Sequence, residues 1–260
     1  MYISHILPNG KEVRLKEIFF KDLRTFNLYE KASISGRLNF LESFILTEGL
    51  NIIEKIHSLL YLRLQCIGDN IVIGSDKGDV GISLEFLIKN IGGINNLTRT
   101  VTIDKVDYTL DYPLNFNIGD DDFLLSMITK IKIEGEELNL GKLSEDEYFK
   151  VIERLPKELY SHIDAFLMDN RNFFDITLLD ERKNLQIQPI KFNLLEPGII
   201  HFVVSLFNCV DVKGYRDLLF ILSKRFNDVN FLLNCTYVEL NDYFEMYKSE
   251  IEQQSNSNQS

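Results

Sequence analysis

The chain has 260 residues, 45% hydrophobic and 26% charged, enough to bury a core as one large domain or two small ones. Its formal charge of −11 disfavours a nucleic-acid backbone, which is bound by neutralising phosphates with Lys and Arg, and disfavours an anionic membrane leaflet for the same reason. It holds no run of eighteen apolar residues to span a membrane. The start lacks the basic and apolar regions of a signal peptide, because Pro8-Asn9-Gly10-Lys11 interrupts it early.

Ile3 to Leu7 and Glu12 to Ile18 flank that Asn-Gly signal, which predicts an opening hairpin. Phe20 to Ala32 reads as a helix broken by Ser33-Ile34-Ser35-Gly36, and Leu38 to Thr47 as a second helix closed by Gly49. Asn51 to Cys66 carries Ile52, Ile53, Ile56, Leu59, Leu60 and Leu64 at helical spacing, and Gly68 ends it where a positive φ is wanted. Asn70 to Ile73 and Val80 to Leu84 form a hairpin around Gly74-Ser75-Asp76-Lys77-Gly78, followed by a short helix to Asn90.

Gly92-Gly93-Ile94-Asn95-Asn96 is the clearest internal linker. It sets the expected division: a hairpin-plus-helices lobe over 1–92, an α+β lobe with a helical C-terminus over 97–252, and a disordered Ser/Asn/Gln tail over 253–260. Past the linker, Thr98 to Ile103 and Val106 to Tyr112 alternate as a hairpin about Asp104-Lys105. Phe123 to Lys130 reads as helical, and 132–138 as a small turn or extra hairpin. Ser144 with Glu147 three residues on predicts a capping box and a helix start. Lys157 to Asn170 is the next helix, and Phe173 to Leu179 with Asn184 to Ile190 a further hairpin.

The last quarter is mostly helical. Tyr215, Leu218, Leu219, Leu222 and Phe226 form one apolar stripe; Tyr237, Leu240, Phe244, Tyr247 and Ile251 form another at three-four spacing. Five such side chains contribute about 10 kcal/mol when buried. Ordering some fifteen residues costs about 1–2 kcal/mol each, so the final helix must dock to persist. Its crowd of Tyr237, Tyr243, Phe244, Met246 and Tyr247 suits an interface, where Tyr and Met are enriched; Tyr237, Tyr243, Phe244 and Tyr247 are the candidate partner-binding residues. The expected fold class is α+β, helical groups alternating with β-hairpins.

Chemistry is sparse. The chain contains no phosphate-loop, dinucleotide, HExxH, CxxC or GxSxG pattern. Cys66, Cys209 and Cys235 are far apart and read as buried reduced thiols; His57, in an apolar helix, reads as a core-edge residue. Asp120-Asp121-Asp122 is either a cap ahead of Phe123 or part of a divalent-cation site, and a metal-dependent enzyme built on it is one reading of function. No catalytic residue, cofactor or metal ligand set is expected.

Several segments, in order along the chain, resemble the T4-type baseplate hub and tail-assembly family of contractile-tailed phages. They are LRLQCIGDNIVI (Leu62 to Ile73), VDYTLDYP (Val106 to Pro113), DDFLLSMITKI (Asp121 to Ile131), GEELNLGKLSEDEYFKVIERLP (Gly135 to Pro156) and YRDLLFILSKRF (Tyr215 to Phe226). The resemblance implies a non-enzymatic hub component or assembly factor, found in the virion tail baseplate or in the host cytoplasm during assembly. Its partners would be other hub or tail proteins, the tape measure protein among them, with no nucleic acid or membrane. A chaperone of tape-measure or hub assembly that leaves before the mature particle is the alternative. A host-takeover protein is a rival from another class. Relatives with cysteine pairs in two hairpins imply small metal ribbons; here Asp76-Lys77-Gly78 and Asp180-Glu181-Arg182-Lys183 stand at those tips, so zinc is not expected.

Overall fold

The computed structural model describes residues 2–28, 33–73, 80–91, 98–114, 116, 123–178, 190–196, 198–208 and 212–257. The fold is α+β, with small antiparallel sheets set among helices. Strands β1 (Tyr2–Ile6) and β2 (Glu12–Lys16) pair as the opening hairpin. Helices α1 (Phe20–Leu28), α2 (Ile34–Glu42) and α3 (Ile52–Ile67) follow. Strands β3 (Asn70–Ile73) and β4 (Val80–Ser83) pair, and α4 (Leu84–Ile91) leaves the second of them. The helix start predicted after Gly36 moves forward. The Ser33 hydroxyl accepts the Gly36 N–H, so the Ser-Ile-Ser-Gly stretch taken as a break caps α2 and forms its first turn.

Helix α3 shows why its termini were legible. Asn51 and Glu54 exchange side-chain-to-backbone hydrogen bonds at 2.9 and 3.0 Å, satisfying two of the free N–H groups at the start. Gly68 ends the helix at φ +115°, a conformation disfavoured once a Cβ is present.

The middle of the chain makes a four-stranded meander: β5 (Arg99–Ile103), β6 (Val106–Leu110), β7 (Ile128–Ile133) and β8 (Glu136–Asn139). Strand β7 corrects the expectation of a helix over Phe123 to Lys130. A single 3-10 turn at Leu125–Met127 leads directly into extended chain. Ile128, Thr129, Ile131 and Ile133 are β-branched, and pairing Ile131 with Tyr108 completes a sheet face that no local periodicity reveals. The predicted extra hairpin at 132–138 is β7–β8, turning through Glu134 and Gly135.

Helices α5 (Glu145–Ile152) and α6 (Glu158–Phe174) supply side chains to the core of this sheet. The Glu147 carboxylate accepts from both the N–H and the hydroxyl of Ser144, as the capping-box spacing predicts. Strands β9 (Asp175–Leu178) and β10 (Ile190–Asn193) form the last hairpin; its predicted return strand over 184–189 and both charged hairpin tips lie outside the described residues. Helices α7 (Gly198–Ser205), α8 (Val212–Ser223), α9 (Val229–Leu233) and α10 (Tyr237–Ser257) end the chain. The tail expected to be disordered from 253 is helical through Ser257. Extending a helix already in place adds one hydrogen bond per ordered residue and needs no new nucleus.

Apolar packing cuts across the division drawn at the Gly92-Gly93 linker. One buried cluster joins Val13 and Leu15 of the first hairpin and the apolar faces of α1–α4 to Ile199, Val203, Leu222, Leu232 and Leu240 of α7–α10. The second holds the meander's inner face, with Tyr108, Leu110, Ile128 and Ile131 against Leu159, Ile163 and Phe166 of α6. The expected 97–252 lobe is thus shared between two cores, and its helical C-terminus packs with the N-terminal segment. The Phe20 N–H donates to the Cys235 carbonyl at 2.8 Å across this junction. Tyr112 of the first cluster touches Phe166 of the second, ring centroids 6.1 Å apart, where the two cores meet.

Candidate functional site

Two features of the surface stand out, one aromatic and one a cleft. The aromatic feature lies where α8, α9 and α10 come together. Phe226, just past α8, Phe231 of α9 and Tyr243 of α10 touch one another, with centroids 5.2 to 6.1 Å apart. Asp228 holds α9 in place by accepting the Phe231 N–H at 3.1 Å. Phe231 nevertheless leaves 43% of its surface open, and Val229 beside it is also exposed. An Arg225–Glu250 ion pair at 3.4 Å ties the end of α8 to the distal part of α10.

The four candidate interface residues do not act as one face. Tyr243 is half-buried, packs against the first core and braces Phe231 in the three-ring cluster. Tyr237 stacks on Phe20 with centroids 6.4 Å apart and lines the cleft described next. Phe244 packs against the first core, and Tyr247 is half-buried. The stripe Tyr237–Leu240–Phe244 is how α10 docks on its own body, while Met246 and Ile251 face solvent.

The cleft has a volume of about 650 Å³ and opens between the C-terminal ends of α3 and α7, the start of β3 and the first turn of α10. Arg63 belongs to its lining and is only 6% exposed. Its Nε donates to the Leu206 carbonyl at 3.3 Å, one Nη to the Gly68 carbonyl, and the other to the Asn70 carbonyl at 3.0 Å. These carbonyls lie at two helix ends and a strand start, and the planar guanidinium reaches all three at once. Asp69 and Asp242 are the acids of the lining. Asp69 also accepts the Glu85 N–H at 2.8 Å and the Ser83 hydroxyl at 3.1 Å, fixing the start of α4. Sequence reasoning missed this cleft. The available signal was a charged residue, Arg63, set among the apolar positions of α3.

His57 and Ser58 are also polar residues on the buried side of α3, and His57 is 4% exposed. Its Nδ1 lies 3.2 Å from Nε2 of His5 on β1, and the His5 ring stacks on Tyr61 with centroids 3.7 Å apart. One nitrogen must donate and the other accept, so the contact is lost when both rings are protonated. Burial, and then the neighbouring His5, push the His57 pKa down to about 4; burial also lowers that of His5. The unfolded chain, with His57 near 6.5, therefore binds the proton more readily than the folded one. Stability contributed by neutral His57 is complete above pH 6.5 and is lost as pH falls towards 4, by about 3 kcal/mol in all. Urea denaturation over this range should show a shallower acid limb in His57→Gln than in the wild type; identical limbs would refute the assignment.

Cys66 is fully buried, its Sγ accepts the Ile18 N–H at 3.4 Å, and burial pushes its pKa up to about 11, which keeps it an unreactive thiol. Cys235 is buried and free, and Cys209 lies outside the described residues. So do Asp120, Asp121 and Asp122. Among the described residues no three His, Cys, Asp or Glu side chains come together as a metal-holding group, and no helix is long and apolar enough to cross a membrane. Comparison with known protein families, curated proteins and solved structures returned no match.

Proposed function

We propose that this protein is a non-enzymatic component or assembly factor of a contractile phage tail baseplate hub, working through protein–protein contacts. The observation that carries the contact part is Phe231, 43% exposed and braced by the half-buried rings of Phe226 and Tyr243. Aromatic side chains held in place by their neighbours yet open to water are the usual anchors of interfaces, because they bury much area with little loss of rotamer freedom. The hub assignment is supported by the ordered resemblance of the segments from Leu62 to Phe226. Partners on this reading are hub or tail proteins, the tape measure protein included. The proposed contact surface centres on Phe231 and Val229, with Phe226, and Tyr243 of the candidate set, bracing Phe231; Phe226, Tyr243 and Phe244 all pack against the first core.

Phe231→Ser combined with Val229→Ser tests the surface. Both side chains are more than two-fifths exposed, but Phe231 also gives up two ring contacts, so stability should fall by about 1–3 kcal/mol with the melt remaining cooperative. Co-purification with tail proteins from infected cells should be lost; its retention would remove this surface from the proposal. Protein mass spectrometry of purified particles separates a resident subunit, present in every particle, from a chaperone that leaves before the particle matures. Absence of the protein both from particles and from tail-protein complexes would overturn the hub reading.

A further inference from the structure

We propose that the outer edge of β1 is a self-association surface, on which β1 pairs antiparallel with β1 of a second copy of this chain about a two-fold axis at Ser4. The inference goes beyond the hub reading and does not depend on it.

The hydrogen bonds of the first hairpin fix which way β1 faces. On β2, the Lys16 N–H donates to the Phe44 carbonyl at 2.7 Å, the Arg14 carbonyl accepts the Leu46 N–H at 2.8 Å, and the Arg14 N–H donates to the Thr47 hydroxyl at 2.9 Å. The backbone groups of Arg14 and Lys16 therefore point away from β1. Those of Val13 and Leu15 point towards it, opposite His5 and Ile3. The Leu7 N–H donates to the Lys11 carbonyl at 2.9 Å in the same phase. Tyr2, Ser4 and Ile6 are left with N–H and C=O groups directed outward, and among the described residues no backbone pairs with them there. Their side chains lie on the open face of the hairpin, Tyr2 61% and Ile6 69% exposed. Such an edge is ordinarily guarded by a charge, a proline or a bulge. The strand Tyr-Ile-Ser-His-Ile has no acidic residue, lysine, arginine or proline, and it pairs with β2 without a register shift.

The edge is complementary to itself. Two-fold pairing sets Ser4 against Ser4 and Tyr2 against Ile6 in both directions, so each outward donor meets an acceptor. Tyr2 and Ile6 then form aromatic–β-branched pairs across the new ladder. The charges agree as well. Within one hairpin Tyr2 stands opposite Lys16 and Ile6 opposite Glu12, so the outer rows of the joined sheet run from Glu12 of one copy to Lys16 of the other. The acidity of the whole chain is not expressed on this face, where exposed Arg14 and Lys16 outnumber Glu12. The opposite side of β2 is already taken by Phe44 to Thr47. A strand of this length extends about 17 Å and pairs over less than the roughly 1,200 Å² of a lasting interface, so the dimer is weak.

Sedimentation velocity of the full chain from about 10 µM to about 1 mM should show a reversible shift from monomer to dimer. Over the same range the amide protons of Ser4 and Ile6 should move downfield in NMR spectra as they gain hydrogen bonds, while those of Ile3 and His5, already bonded to β2, move much less. Ile6→Lys removes the contact with Tyr2 and sets an ammonium beside Lys16 of the other copy. It should weaken association by about tenfold or more and leave the melting temperature of the monomer within a few degrees, because Ile6 lies outside the core. Leu46→Lys, the same charge change at an exposed position beyond β2, should leave association within about twofold. A monomer at every concentration would overturn the inference and leave the edge to a strand of a different protein. Equal movement of all four amides, association that survives Ile6→Lys, or equal loss in both variants would overturn it too.

Discussion

Leu240→Ala is expected to destabilise the protein by about 2–5 kcal/mol, the range for deleting a fully buried leucine side chain where the surroundings cannot close the gap. Leu240 is 0% exposed and sits on the face of α10 that joins the cluster built by the first hairpin and α1–α4. Its location makes a sharper expectation than its size. If α10 is structurally part of the N-terminal core, amide hydrogen exchange in α1 and α3 should accelerate in the variant along with exchange in α10. Unchanged protection in α1 and α3 would show that the C-terminal helix is an appendage and would contradict the joint core.

Arg63→Met should cost about 3 kcal/mol, although methionine fills much of the same volume. The loss is chemical: carbonyls of Leu206, Gly68 and Asn70 give up donors at a site where the side chain is almost fully enclosed. Arg63→Lys should recover only part of this, because a compact ammonium on a flexible stem does not offer the planar fork that spans all three acceptors. Urea denaturation followed by circular dichroism would read both variants, with a lower midpoint at an unchanged slope. A midpoint for Arg63→Met equal to that of the wild type would show that water replaces the guanidinium without penalty.

What could be read along the chain was whatever neighbouring residues decide among themselves. Asn51 with Glu54, and Ser144 with Glu147, place helix starts because side chain and backbone meet within one turn. Asn9-Gly10 and Asp104-Lys105 place turns between alternating strands for the same local reason; Gly10, Asp104 and Lys105 do adopt positive φ. Four hairpins and the amphipathic faces of α3, α8 and α10 follow from such signals. The α2 start went astray because Ser33 serves equally as a breaker or a cap, and only the helix that follows decides which.

Other features depend on residues far apart in sequence. Strand β7 exists because β6 offers it an edge, against a local pattern that suits a helix. The glycine-rich stretch at 92–93 suggested a boundary, yet the apolar stripes of α8 and α10 carried no label saying which core they would join. Burial of Leu222, Leu232 and Leu240 beside α1–α4 settled it. The sequence by itself determined where most helices and hairpins lie, strand β7 and the start of α2 excepted, and which of their faces are apolar, since those depend on spacing within a few residues. Only the tertiary structure decided that the two ends of the chain share one core, that His5 meets His57, and that Arg63 joins Leu206 to Gly68 and Asn70. The hydrophobic effect that buries those faces is non-directional, and it leaves the choice of partner to the packing of the whole chain.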